Sequence, residues 1–214
     1  MRFDLTRKAH WDDIYAEEIR NYDENVDGED WYAAQCSQIA SFMIARFAKN
    51  TPVLDIGCGN GMFLKRLQDL GFTQLAGFDY VADAVRLARR LLGPCAVVDQ
   101  LDLTAPMQDM PMSCNRVSRL IATRWAALIH DKGTFDIFFM GNRVAEYAAA
   151  LQESLLGPGV HVLITSCNAT VAELQEACSF MTTVAILDYP VFTFGGVKGQ
   201  VVSTVLFKHT APQC

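Results

Sequence analysis

Seven consecutive residues, Asp55-Ile56-Gly57-Cys58-Gly59-Asn60-Gly61, restrict what this 214-residue chain can fold into more than any other part of it. They follow Pro52-Val53-Leu54, a short apolar run of strand character, and they precede Phe63, Leu64, Leu67 and Leu70 at helical spacing. Gly71 stands where a helix-ending glycine belongs. A strand that turns through glycines into a helix opens a βαβ unit, and the missing Cβ atoms let backbone approach a ligand closely.

The rest of the chain continues that alternation. Strands are predicted at 52–56, 75–79, 95–98, 125–130 and 160–165, with helices at 61–70, 81–92, 143–156 and 170–180. Residues 103–124 are less regular. Two last strands, 183–187 and 200–208, have only a loop between them and must pair antiparallel, since a parallel pair needs a long crossover. The expected fold is α/β: a Rossmann-like seven-stranded sheet with helices on both faces and a terminal antiparallel hairpin. Residues 1–30 form an expected N-terminal extension, helical over 11–20, that covers the cleft; residues 31–214 form one domain and begin with a helix over 31–49.

Asp55, Asp79 and Asp99 fall at the ends of the first three predicted strands, where open α/β sheets bind ligands. There Asp55 faces an ammonium group and Asp79 offers two acceptor oxygens to ribose hydroxyls. Asp99 accepts from an adenine amino group, with Gln100 donating from its backbone. With the glycine run and the terminal hairpin, these expectations describe S-adenosyl-L-methionine as the cofactor, Gly57, Cys58, Gly59, Asn60, Gly61 and Tyr80 completing its wall. Asp131, expected at the end of the fourth strand, lies beside the cofactor's reactive end and orients an acceptor amine; the competing reading is a cap for the helical segment from Thr134. Trp11, Tyr15, Trp31, Tyr32 and Tyr80 are either aromatic walls or core. His130 is read as a strand residue, Lys132 as a surface or ion-pairing residue, and Cys58 as a small side chain tolerated between glycines.

Other classes are excluded. A dinucleotide-binding GxGxxG fails because Met62 stands where its last glycine should be, and no GxxxxGK[ST] loop or Tyr-xxx-Lys pair occurs. A net charge of −6 and the lack of Asn-Pro-Pro-Tyr after the fourth strand argue against a nucleic-acid substrate. Nine carboxylates between Asp12 and Asp30 face a single Arg20, a solvated face or a surface for a basic protein. Seven scattered cysteines without a CxxC pair, and four histidines far apart, predict reduced thiols and no metal. No apolar run reaches the roughly 20 residues of a membrane span, and no apolar leader is evident.

Several segments together resemble the seven-β-strand lysine methyltransferases that act on elongation factor 1-alpha. They are Trp11-Asp12-Asp13-Ile14-Tyr15, Gly28-Glu29-Asp30-Trp31-Tyr32, the glycine run, Gly77-Phe78-Asp79-Tyr80 and Asp131-Lys132-Gly133-Thr134-Phe135-Asp136. Thr165-Ser166-Cys167-Asn168 and Phe192-Thr193-Phe194-Gly195-Gly196 complete the set; Ala33, Ala34 and Ala169 depart from the family's pattern. The resemblance implies methyl transfer to a lysine of that basic translation factor, in the cytoplasm, without nucleic acid or membrane as partner. Trp31, Tyr32 and Phe194 become candidate substrate contacts. The alternatives are a small-molecule methyltransferase and a catalytically silent protein of the same fold that only binds a partner.

Overall fold

The computed structural model describes residues 5–22, 33–106, 115–189, 193–194, 197–198 and 202–210. Helix α1 (Lys8–Tyr22) and helix α2 (Ala33–Ile44) come first. The alternating body follows: β1 (Val53–Ile56), α3 (Met62–Asp69), β2 (Leu75–Asp79), α4 (Ala82–Leu92), β3 (Ala96–Gln100), α5 (Arg116–Ala122), β4 (Leu128–Lys132), α6 (Thr134–Met140), α7 (Val144–Ala150), β5 (His161–Ser166) and α8 (Val171–Ala177). The last elements are β6 (Thr182–Leu187), the two-residue strands β7 (Thr193–Phe194) and β8 (Val197–Lys198), and β9 (Ser203–Lys208). Seven strands form one sheet in the order β3-β2-β1-β4-β5-β9-β6, with β9 antiparallel to both of its neighbours. The seven-stranded α/β sheet and its terminal antiparallel pairing are as expected. Where the sequence predicts only a loop before β9, a small hairpin forms, β7 against β8.

Side chains alternate across each strand, so the sheet divides its residues between two layers. Val53, Leu75, Val98, Leu128 and Leu163 pack with Ile39, Phe63, Leu64, Val85 and Ala88 from α2, α3 and α4. Leu54, Ile56, Phe78, Ile129 and Ile164 pack on the other face with Val117, Phe135, Tyr147 and Leu174 from α5 to α8. Fully burying a side chain such as Leu64 or Phe135 stabilises the fold by about 1.5–3 kcal/mol each. Helix α4 shows how sequence drives the layer: Ala84, Val85, Leu87, Ala88 and Leu92 are buried along one stripe, and Gly93 ends it. Helix α8 begins with a capping box, Thr170 and Glu173 each satisfying the other's backbone N–H.

Two strand boundaries differ from the predicted ones, and they matter for the site. Strand β3 runs through Asp99 to Gln100, and β4 spans Leu128–Lys132 where 125–130 was predicted. The apolar Trp125-Ala126-Ala127 run resembled strand, but pairing with β1 begins only at Val53 opposite Leu128. Asp99 and Asp131 therefore lie inside strands. Helices α5 and α6, short and flanked by glycine or polar residues, had no clear period in the sequence. The predicted 143–156 helix is α7 followed by a π-helical turn at Leu151–Leu155.

Candidate active site

The turn after β1 carries Gly57, Cys58, Gly59, Asn60 and Gly61 above the carboxyl ends of the strands. Gly57 has φ of 62°, and a Cβ there would collide with the side chain of Thr134. Thr134 donates its hydroxyl hydrogen to the Ile56 carbonyl at 3.0 Å, so the start of α6 is fastened directly under the turn. The turn borders a cavity of about 300 Å³. Its lining comprises Asp55, Asp79 and residues of the glycine turn, together with Lys132, Asp136, Phe138, Met140, Cys167 and Asn168. Trp11 and Tyr15 of α1 also line it, as do Leu101 and Asp102 just beyond β3.

Asp55 and Asp79 reach this cavity because they point to the same face of neighbouring strands, Asp55 standing opposite Gly77, two residues before Asp79. Asp79 accepts the Gly59 N–H at 3.0 Å and the Val81 N–H at 2.9 Å, tying the glycine turn to the next helix. Burial raises the Asp79 carboxyl to about 6 in spite of those bonds. A buried carboxylate so placed is under-solvated, and further donors such as paired ribose hydroxyls suit it. The backbone cradle and the two carboxylates thus fit the expected cofactor.

Asp55 also meets His130 on β4, Nδ1 to Oδ1 at 2.7 Å. The sequence reading of His130 as a strand residue holds but missed this contact; the signal was the register that sets residue 55 opposite 130.

Cys58 is buried beside Gly77, and burial, then the charges of Asp55 and Asp79, push its thiol well above the ordinary range. That suits a packing residue and not a nucleophile. Asn60 donates to Glu18 of α1 at 2.6 Å and accepts the Met62 N–H at 3.2 Å. Gly61 precedes the first turn of α3. Tyr80 is half-buried at the cavity edge, with Lys8 5.2 Å from its ring centre; burial, then Asp79, raises its hydroxyl's pKa.

Asp99, Gln100 and Asp131 are placed differently from the sequence expectation. Asp99 points to the opposite face from Asp79 and receives the backbone N–H groups of Arg116 at 2.6 Å and Val117 at 3.0 Å. It also pairs with Arg89. Its carboxylate starts helix α5 and does not line the cavity, and Asp102, two residues past the strand, lines it instead. Gln100 does not line the cavity, and its side-chain amide donates to the Tyr80 carbonyl at 3.0 Å.

Asp131 is fully buried on the face of Ile129 and accepts from Thr134 N at 2.9 Å, Phe135 N at 3.1 Å and the Tyr147 hydroxyl at 2.7 Å. The capping reading is the one its contacts match, and Asp131 does not line the cavity. Burial lifts its carboxyl to about 7 against those hydrogen bonds.

A further carboxylate lining the cavity is Asp136, the last residue of the Asp131-to-Asp136 segment. It accepts from the Ser166 hydroxyl and from Cys167 N at 3.1 Å, joining α6 to the end of β5. Trp31 and Tyr32 lie outside the described residues, and for Phe194 only the β7 backbone is described.

A family profile described as a methyltransferase domain matches residues 47–200. EEF1A lysine methyltransferase 2 of Danio rerio is 32% identical to this chain, over 96% of the chain and 88% of that protein. Protein-lysine N-methyltransferase EFM4 of Saccharomyces cerevisiae is 27% identical, over 95% and 93% respectively. Among solved structures, magnesium protoporphyrin IX methyltransferase from Synechocystis with bound SAM matches at a TM-score of 0.64 and 10% identity, over 98% of both chains. N-methyltransferase NodS from Bradyrhizobium japonicum, in complex with S-adenosyl-L-homocysteine, matches at 0.63 and 14% identity, over 95% and 99%. At such identities these two structures speak for the fold alone.

Proposed function

Because this chain belongs to the EEF1A lysine methyltransferases, S-adenosylmethionine-dependent enzymes, we propose that it methylates a lysine side chain of elongation factor 1-alpha. The observation that carries this reading is a cavity lined both by the glycine turn with Asp55 and Asp79 and by Asp136, Phe138 and Met140. The first set suits the cofactor and the second an incoming side chain.

S-adenosylmethionine supplies an activated methyl group on a sulfonium, transferred by in-line displacement. The chain's own task is alignment and desolvation. Asp55 holds the cofactor's ammonium and Asp79 its ribose hydroxyls, while Gly57, Gly59 and the N–H groups of the turn let the backbone close on it. Asp102 takes the place first expected of Asp99 at the adenine end. Alignment of the reacting atoms at about 3–3.5 Å is worth several powers of ten in rate.

The acceptor amine must be neutral, although a free lysine titrates near 10.4. An apolar passage formed by Ile137, Phe138 and Met140 disfavours its charged form, and so does the cofactor's positive charge. Asp136, fixed by Ser166 and Cys167, orients the amine. Met140 is 40% exposed at the rim, a position suited to contact a protein surface around the lysine. Helix α1 forms the cover, with Trp11 and Tyr15 lining the cavity. The acidic character of the N-terminal sequence suits a basic partner. This activity belongs in the cytoplasm, with neither nucleic acid nor membrane as partner; no described helix is long and apolar enough to cross a membrane.

The test is transfer of tritiated methyl from the cofactor into purified elongation factor 1-alpha, followed by mapping of the labelled peptide. Label on one lysine, lost with Asp55→Ala or Asp79→Ala, is the expected result. An unlabelled factor, with methyl transfer into small metabolites instead, would overturn the substrate assignment.

A further inference from the structure

His130 is fully buried on β4 and does not itself line the cavity. Register places it directly opposite Asp55, so both side chains leave the sheet on the same face. The Nδ1–Oδ1 separation is 2.7 Å. Asp55 as a carboxylate only accepts hydrogen bonds, so the proton between them belongs to Nδ1. The ring lies nearly parallel to Phe63, 4.2 Å between centres and 16° between planes, which fixes its orientation from behind. Nε2, by contrast, is buried with no hydrogen-bond partner among the described residues. A buried ring nitrogen without a partner is unfavourable, and a purely apolar side chain would fill this space without that penalty. What the imidazole provides that an apolar residue does not is the Nδ1 donor.

We propose that His130 is a positioning residue for the cofactor site: its Nδ1–H grips Oδ1 of Asp55, fixes the carboxylate's rotation, and leaves Oδ2 as the acceptor for the ammonium group of S-adenosylmethionine. This rests on the reading of Asp55 as the ammonium's partner. The arrangement is a relay of orientation, Phe63 holding the ring, the ring holding the carboxylate, and the carboxylate meeting the ligand. It needs no proton transfer. It explains why a polar ring is kept in an apolar layer beside Leu128 and Leu163.

The geometry separates three substitutions. The amide nitrogen of asparagine can reach the position of Nδ1, whereas that of glutamine approximates Nε2, and leucine offers no donor. S-adenosylhomocysteine carries the same ammonium group, so its titration by calorimetry against the full chain needs no protein acceptor. His130→Leu and His130→Gln are expected to weaken binding about tenfold and raise the KM for S-adenosylmethionine to match, with kcat at saturating cofactor within threefold. His130→Asn is expected to stay within threefold of the unmodified chain in all three quantities. Equal binding by His130→Leu and the unmodified chain would overturn the proposal, as would a loss confined to kcat.

A measurement on the unmodified protein guards against variants that fold poorly. With ¹⁵N-labelled histidine, the His130 ring should carry its proton on Nδ1, and a neutral ring protonated only at Nε2 would refute the assignment. If the unmodified chain itself does not bind S-adenosylhomocysteine, the cofactor reading fails and not merely the role of His130.

Discussion

The hydroxyl of Tyr15 occupies the space that a side chain on Gly59 would need. Tyr15 belongs to the N-terminal helix and Gly59 to the turn after the first strand, so a residue from the start of the chain closes down on the cofactor loop. Gly59 has φ of 55°, a conformation that alanine adopts only with strain. Gly59→Ala must therefore displace Tyr15, distort the turn, or both. Affinity for S-adenosylhomocysteine should drop at least a hundredfold in calorimetric titration. Binding within fivefold of the unmodified chain would show that the turn tolerates a Cβ.

A second tie between the same two segments is the bond from Asn60 to Glu18. Glu18→Ala removes this bond, a loss of about 1 kcal/mol. Limited proteolysis should then cut within helix α1 sooner, and added S-adenosylhomocysteine should slow the cutting. Identical digestion of variant and unmodified chain would mean that α1 is held by its apolar contacts with Val81, Ala84 and Leu87 alone.

The third prediction concerns pH. Burial holds the Asp131 carboxyl at about 7, whereas an unfolded chain titrates near 3.9. Between those values the native state binds more protons than the unfolded one, so stability falls as pH rises through the window. The size of this fall is on the order of 4 kcal/mol from this residue. Asp131→Asn keeps an acceptor for the first N–H groups of α6 and cannot ionise. Urea unfolding at pH 5 and pH 8 should show a smaller difference for the variant, with methyl transfer retained within about fivefold. A tenfold or greater loss of activity in a folded variant would restore Asp131 to a direct part in catalysis.

Asp99 and Asp102 are expected to trade roles. Asp99→Ala leaves Arg116 N and Val117 N without their acceptor, and should lower stability by about 1–3 kcal/mol while moving the KM for S-adenosylmethionine little. Asp102→Ala should leave the melting temperature nearly unchanged and raise that KM several-fold. The reverse pattern would return the adenine contact to Asp99.

These two corrections share one cause, and it marks what the sequence could not carry. The glycine turn, Asp55 and Asp79 were legible because β-branched runs and glycines are local signals, and the order of strands and helices followed from hydrophobic period. The facing of Asp99 and Asp131 was not legible. A strand's last residue depends on its neighbour's length, and with a period of two, running one or two residues further moves a side chain off the rim or to the other layer. Helix α6 was legible only through the alternative in which Asp131 caps a segment starting at Thr134, the alternative its contacts match. The contact of His130 with Asp55 joins residues 75 positions apart, a distance over which no pattern in one chain reports pairing.

Strand β9 lies between β5 and β6 and is the partner that joins β6 to the sheet. Removing residues 203–208 would therefore do more than shorten the fold. It would uncover the edge of β5, where Val162, Leu163 and Ile164 are wholly buried, and set β6 loose with its own hydrogen-bonding groups unmatched. Two adhesive edges would replace two sealed seams, and such edges recruit strands from other molecules. A chain cut short at this point is thus a candidate for self-association and clearance by quality control, even though every residue lining the cavity would still be present.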